Sequence, residues 1–455
     1  MFDMKYDKFV KKIIDQVRGR LADMSMTTGN ADAAKENEKT LQLITETVAA
    51  NASRERNQSL NSPAAIQFFS DYVVKDIFRL GPLEELLMDD SITEIMVNGP
   101  APKDIFIERS GKLQNANIHF FNDDHIVGFI QKIAKADEKS CDNSSPLCDC
   151  MLRRPGEKFD GSRCNLTLKP ISIDHPTMTI RKFRSDALTP DDLLSFGTFD
   201  KKTFDLIQAL ARGRMNIIVI GGTGSGKTTL LNMLSGSIQK DQRIITIEDN
   251  AELQLKDHPH VLRMQARAAN SEGVGQVTIR QMLANALRQR PDRIIVGECR
   301  GGEALDMLEA MSTGHDGSLT TVHANDAREC VSRMQVLISY AGMNLPADLI
   351  AQMFSLAVDF VVATKRYPDG SRHVSEIVEI RDMDTTTGQV TMQPIIEFRQ
   401  YGRDEKGKIK GIFASTGQGF SRYHRDKFEG NGVSVKNAWF KNTPQEDQIL
   451  SNLRR

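Results

Sequence analysis

The run Gly221-Gly222-Thr223-Gly224-Ser225-Gly226-Lys227-Thr228 constrains this chain more than any other feature. It fits the spacing G-x-x-x-x-G-K-[ST] at every position. With average residue usage the pattern arises by chance roughly 0.02 times in a chain of this length. Its flanks narrow the choice further. Asn216-Ile217-Ile218-Val219-Ile220 is a buried-strand run just before it, and Thr229-Leu230-Leu231-Asn232-Met233-Leu234 opens a helix just after. Strand, glycine loop and helix in that order predict an α/β unit whose loop cradles phosphate. Glycines let backbone N–H groups converge on phosphate oxygens with no Cβ in the way. The following helix N-terminus adds partial positive charge. Lys227 is the residue to neutralise the β- and γ-phosphates of ATP, and Thr228 offers its hydroxyl to Mg²⁺. The candidate nucleotide contacts are thus Gly221, Gly222, Thr223, Gly224, Ser225, Gly226, Lys227, Thr228 and Thr229. A loop that merely turns the chain explains neither Lys227 nor the strand and helix around it.

Two further apolar runs end in acid. Arg243-Ile244-Ile245-Thr246-Ile247 leads into Glu248-Asp249, and Arg293-Ile294-Ile295-Val296 leads into Gly297-Glu298. In an open α/β sheet, ligands gather at the carboxyl ends of the strands. Glu248 and Glu298 are therefore candidates both for Mg²⁺ and for the attacking water. An ordinary nucleotide-binding strand carries Asp where this chain has Gly297, which leaves Glu298 the only acid there and suggests Mg²⁺ held partly through water. Asp249 reads equally well as a helix cap. Thr320-Thr321-Val322-His323 leaves a histidine at a strand end, placed to sense the γ-phosphate. His315, in Gly314-His315-Asp316-Gly317, reads as a turn organiser.

At 455 residues the chain exceeds one compact core, and about 150 residues per domain gives a prior of about three. Lys+Arg total 59 and Asp+Glu 60, a net charge of −1, which argues against a polyanion-coating protein. No apolar run approaches the ~20 residues a membrane-spanning helix needs. The charged start Met1-Phe2-Asp3-Met4-Lys5 lacks a signal-peptide core. The expected location is cytoplasmic, with any membrane role reached through partners. The cysteines Cys141, Cys148, Cys150, Cys164, Cys299 and Cys330 form no pair of CxxC motifs, so reduced thiols are expected, with metal or redox chemistry at 141–164 the lesser option.

Composition and punctuation divide the chain. Residues 1–63 form an N-terminal helical segment with a polar linker. Phe9, Val10, Ile13, Ile14 and Val17 recur at helical spacing, as a surface or docking helix. Residues 23–40 read as the linker, and Ser62-Pro63 starts another helix. Residues 64–184 form an α+β domain with strands at Ile92–Val97 and Thr177–Phe183 and a helix at His125–Ala134. A linker at Arg184–Leu188 precedes Thr189-Pro190-Asp191-Asp192, which carries a capping hydroxyl, Pro at the first helical position and two acids in the first turn. Residues 185–400 then alternate apolar strands with amphipathic helices, predicting a mostly parallel sheet. Residues 401–455 read as a small appended element with a mobile end.

Several segments together resemble the secretion ATPase superfamily. They are Ile247-Glu248-Asp249-Asn250-Ala251-Glu252-Leu253, Arg290-Pro291-Asp292-Arg293 through Ala304, Thr313-Gly314-His315-Asp316-Gly317-Ser318 and Thr321-Val322-His323-Ala324-Asn325. In that superfamily these are the Asp box, the Walker B-like segment and the His box, beside the Walker A loop. Within it the chain looks most like the CpaF family, which powers Tad/Flp pilus assembly. Leu80-Gly81-Pro82-Leu83-Glu84, Thr93 to Gly99, Asp160 to Asn165 and Ile180-Arg181-Lys182-Phe183 extend the similarity upstream, so it spans about residues 80–400.

The resemblance implies a ring, typically a homo-hexamer, whose subunits have an α+β N-domain and a RecA-like P-loop C-domain with nucleotide between them. Arg163 and Arg181 occupy the positions of the N-domain arginines that reach the phosphates. Phosphoryl transfer does need charge neutralisation beyond one lysine, and Arg suits phosphate better than Lys. The implied activity is ATP hydrolysis by Lys227, Glu248, Glu298, Arg163, Arg181 and His323, with Mg²⁺ at Thr228, Glu248 and Glu298. The implied partners are inner-membrane platform proteins. The alternatives are a VirB11-like type IV secretion traffic ATPase moving protein or DNA, a non-hydrolysing nucleotide-gated scaffold, and a nucleic-acid translocase. The neutral charge balance disfavours the last of these.

Overall fold

A computed structural model describes residues 4–23, 38–55, 58–109, 111–183, 188–269, 274–384 and 386–453. Most of the expected linker at 23–40, the linker residues 184–187 and the turn residue Ser110 lie outside them. The chain divides into two compact units, Met1–Asp186 and Ala187–Arg455.

In the first unit, helices Asp7–Asp23, Glu38–Ala52 and Pro63–Phe78 share one apolar core. Phe9, Val10, Ile13, Ile14 and Val17 bury against Leu43, Ile44, Val48, Phe69, Val73 and Ile77. The first helix docks through the face its pattern marked, with the opposite face exposed. Its partners lie too far along the chain for local periodicity to reveal. Ser62 caps the third helix as expected, its Oγ accepting from Ala65 N at 3.2 Å with Pro63 in the first turn. Buried Asp76 ties that helix to its neighbours through Arg18 at 3.2 Å and His125 Nε2 at 2.6 Å. No compact-unit boundary falls at 63/64.

The rest of this unit is a six-stranded antiparallel sheet in the order β3-β2-β1-β6-β5-β4 among the described residues. The strands are β1 Ile92–Val97, β2 Ile105–Arg109, β3 Lys112–Asn115, β4 Leu147–Leu152, β5 Ser162–Thr167 and β6 Thr177–Arg181. Helix Asp123–Ala136 shares the sheet's apolar core. Cys150 and Cys164 face each other across β4 and β5. All six cysteines are free and buried, and burial pushes Cys141 and Cys148 up to about 11. No group of metal-ligating side chains suited to an ion occurs among the described residues.

The second unit is the RecA-like α/β domain. Its strands are β7 Ile217–Gly221, β8 Ile244–Glu248, β9 Val261–Gln265, β10 Arg293–Val296, β11 Leu319–Val322, β12 Phe360–Arg366, β13 Arg372–Asp384, β14 Gln389–Arg403 and β15 Ile409–Ser415. Among the described residues they form a nine-stranded sheet, β15-β14-β13-β12-β7-β11-β10-β8-β9. The run from β12 to β9 is parallel, and β12 to β15 are antiparallel neighbours. Strand β7 is buried along its whole length, with Ile218 and Ile220 in one apolar cluster and Ile217 and Val219 in the other. Burial on both faces is why the parallel strands read as continuous apolar runs. The expected helix start at Thr189 carries a full capping box with Asp192.

Strand β14 runs across 400/401 to Arg403, pairing with β13 over its first part and with β15 over its last. Residues after 401 complete the sheet and its core. Phe413, Phe420, Phe428 and Trp439 lie in the same apolar cluster as Ile217. The aromatic residues that set this stretch apart in the sequence are the ones that fill the core.

Candidate functional site

The loop at 221–226 leaves the buried end of β7 and runs directly into helix Lys227–Gly236. Gly221 shows why the pattern demands glycine. At φ +153, a Cβ there would lie 2.3 Å from Thr364 O and 2.4 Å from Ser225 Oγ. Gly226 opens the helix at φ +101. Ser225 Oγ lies 2.9 Å from Thr364 Oγ1, which pins the loop to β12. Lys227 is buried, and its ammonium donates to Gly221 O at 3.0 Å and Gly222 O at 3.2 Å. Thr228 and Thr229 are half-buried in the first turn.

Glu248, Glu298 and His323 converge beside this loop because β8, β10 and β11 run parallel and end together. Lys227 Nζ lies 3.4 Å from both ring nitrogens of His323. His323 Nε2 lies 2.9 Å from Glu298 Oε1. Burial, then the Lys227 charge, hold His323 below its ordinary range. Arg300 donates to Glu298 Oε2 at 2.8 Å and reaches Asp249 Oδ2 at 3.8 Å. It thus links the acids of two strands, and its only signal in the sequence is its place two residues after Glu298.

Glu248 is buried, and its Oε1 accepts from Glu252 N at 2.9 Å and Leu253 N at 3.0 Å. Its Oε2 is buried with no hydrogen-bond partner among the described residues. Burial pushes this carboxyl up to about 7 against the pull of those two amides. The departure at Gly297 has a steric reason, since a Cβ there would come within 3.0 Å of Glu248 Cγ. The small residue makes room for the glutamate of the neighbouring strand.

Two residues near the loop escaped the sequence reading. Arg372 Nε donates to Gly224 O at 2.7 Å. Arg366 Nη1 would lie 3.4 Å from a Cβ at Gly224. Both come from the β12–β13 hairpin, 140 or more positions along the chain, so no local pattern announces them. His315 Nδ1 lies 3.3 Å from Ala310 O, in keeping with a turn role. Arg163 and Arg181 are in the first unit, directly opposite each other on β5 and β6.

The donor set fits a magnesium-bearing triphosphate. It offers a loop that closes only around glycine, a buried ammonium resting on main-chain carbonyls, and a buried carboxylate oxygen, Glu248 Oε2, without a hydrogen-bond partner among the described residues. A family model described as Type II/IV secretion system protein matches residues 78–369. The type IV secretion system protein VirB11 of Brucella suis is 32% identical over 68% of this chain and 94% of its own length. The conjugal transfer protein TrbB of Rhizobium radiobacter is 33% identical over 65% of this chain and 85% of its own. The crystal structure of the Brucella suis VirB11 ATPase with sulphate is 29% identical, with a TM-score of 0.35, covering 66% of this chain and 92% of that one.

Proposed function

The chain belongs to the type II/IV secretion system protein family, and from that membership we propose that it is an oligomeric motor that hydrolyses ATP to power pilus assembly or protein secretion. One observation carries the reading: the loop lysine, a strand-end histidine and a strand-end glutamate, Glu298, are in contact, and Glu248 ends the strand paired with that of Glu298. Residues 221–229 would hold the phosphates, and Thr228 and Glu298 would hold Mg²⁺, leaving Glu248 to the attacking water. Bound there, Mg-ATP supplies the phosphoryl group and the divalent charge that offsets its negative oxygens. Lys227 moves from the Gly221 and Gly222 carbonyls to the phosphates. Glu248, with a free Oε2 and a carboxyl raised to about 7, takes the proton of the attacking water. Arg300 and His323 hold Glu298 from either side. By the resemblance, Arg163 and Arg181 would supply positive charge to nucleotide phosphates.

In this reading the motor works as a homo-hexamer at the inner face of the cytoplasmic membrane. It drives a Tad/Flp-type platform, as the CpaF-like segments suggest. A second reading, a traffic ATPase for protein or DNA transfer, draws on the similarity to VirB11 and TrbB. No helix among the described residues is long and apolar enough to cross a membrane. Purified wild type should hydrolyse ATP with Mg²⁺, and Lys227→Ala should lose about 100-fold or more. Normal turnover by the variant would sink the site. The same variant in the host separates the two readings, through loss of surface pili or loss of conjugative transfer.

A further inference from the structure

A phosphate-binding loop works only if its N–H groups point inward, and each N–H shares a rigid trans peptide plane with the preceding carbonyl. Turning a carbonyl outward therefore turns the next N–H inward. At the centre of this loop the outward carbonyl is Gly224 O, and it is held by Arg372 Nε at 2.7 Å. The N–H on the other side of that plane belongs to Ser225, and it meets Gly222 O at 3.3 Å. Lys227 Nζ meets the same Gly222 oxygen at 3.2 Å. The two donors that a phosphate oxygen needs thus already converge on one point, and the guanidinium behind Gly224 fixes one of them.

The hairpin that delivers Arg372 is placed by the sheet. Strand β12 lies parallel to β7 with Thr364 opposite Gly221. Two residues on, β12 ends at Arg366, whose direct partner on β13 is Arg372. Two arginines opposite each other across a hairpin repel. Here they sit on either flank of an anion-binding loop, with Arg366 Nη1 also close to Gly224. Arg372 lies just beyond the family-matched residues 78–369.

We propose that Arg372 is a positioning residue of the nucleotide site, orienting the Gly224–Ser225 peptide so that Ser225 N–H faces the phosphates. This rests on the nucleotide-binding reading above. The planar Nε–H supplies direction that a lysine ammonium does not. The test is the affinity of a fluorescent ADP analogue for the full chain, with turnover measured in parallel for wild type, Arg372→Lys and Arg372→Gln. Both variants should bind roughly 10-fold or more weaker, the range for a charge-assisted hydrogen bond. Circular dichroism and melting temperature should match wild type. The weakening in Arg372→Lys should persist at 0.5 M salt, because orientation rather than net charge is lost. Wild-type affinity in Arg372→Lys would overturn the proposal in favour of bulk electrostatics. Unchanged affinity in both variants, or affinity lost only in step with melting temperature, would also overturn it. Failure of the wild type itself to bind would instead remove the nucleotide reading on which it stands.

Discussion

The two ends of the second unit's sheet use the same residue types and differ in how completely they are satisfied. Below the point where β7 and β12 begin, Asp359 accepts from Asn216 N at 2.7 Å, Lys427 Nζ at 2.7 Å and, through its other oxygen, His424 Nε2 at 3.1 Å. Glu379 holds the other side of the His424 ring at 2.8 Å, and Lys427 reaches on to Asp316 at 2.7 Å. Arg293, with no exposed surface, donates to Gln242, Gly317 and Ala211. At the opposite end, Glu248 Oε2 is buried without a hydrogen-bond partner among the described residues. A satisfied buried network fixes a fold, whereas leftover polar atoms cost stability unless a ligand completes them. The first end is built for stability and the second for chemistry, and substitutions at each should separate the two properties.

The largest expected effect falls at the unsatisfied end. Glu248→Gln keeps the oxygen that accepts from Glu252 and Leu253 and removes the proton acceptor. ATP turnover should fall by about 10²–10⁴, the usual contribution of a general base. Stability at pH 8 should not fall, because a buried carboxyl raised to about 7 costs the native state free energy once it ionises. In the wild type, turnover should rise with pH and level off above about 7, reaching roughly a tenth of its plateau one unit below. A flat profile from pH 5.5 to 8 would move the base to another group.

Next comes the satisfied end. Asp359→Ala strands His424, Lys427 and the Asn216 amide, and breaking a buried charge network costs about 3–5 kcal/mol. Urea denaturation should show that loss, while nucleotide affinity of the folded fraction stays at the wild-type value. The network also predicts a pH window. Burial alone pulls His424 down, but Asp359 and Glu379 on either side outweigh it and raise it. A raised imidazole contributes its stability in full below about 6.5 and loses it as pH climbs through the folded value. Burial pushes Asp359 and Glu379 up, yet His424 and its neighbours hold both below their ordinary range. Their contribution is present above the ordinary carboxylate values and fades as acid protonates them. Wild-type stability should therefore decline as pH rises from about 6.5 through the His424 transition, and His424→Gln should show no such decline. An identical alkaline slope in the variant would place the titrating group elsewhere.

The difference between the ends also explains what the sequence disclosed. The phosphate loop, its strand and its helix are contiguous, and Glu248, Glu298 and His323 each close a local apolar run, so all were visible one at a time. Their meeting follows from parallel order alone. Arg372, which is 148 positions from Gly224, and Asp359, which is 65 positions from His424, carry no such marker. Each is an ordinary charged residue whose meaning comes from antiparallel β12–β15 pairing. That pairing was not read from the sequence, because β13, β14 and β15 mix polar and apolar residues in strands buried on parts of each face. The C-terminal stretch was set apart for the same reason: its core contacts are almost all long-range.

The smallest effect tests whether the boundary between the two regimes lies where the geometry puts it. Thr364 belongs to the stable strand β12 yet touches the loop, donating to Ile220 O at 3.1 Å and meeting Ser225 Oγ at 2.9 Å. Thr364→Val keeps shape and burial and removes both bonds. A net loss of about 1 kcal/mol is expected, near the middle of the range for neutral hydrogen bonds. How it divides is the informative part. If the loop is held in its phosphate-ready form by β12, the loss appears mainly in nucleotide affinity, about fivefold, with little change in melting temperature. If Thr364 only knits the sheet, the melting temperature falls and affinity does not move. The first outcome extends the functional end of the sheet one strand beyond the glutamates; the second confines it to the loop and the ends of β8, β10 and β11.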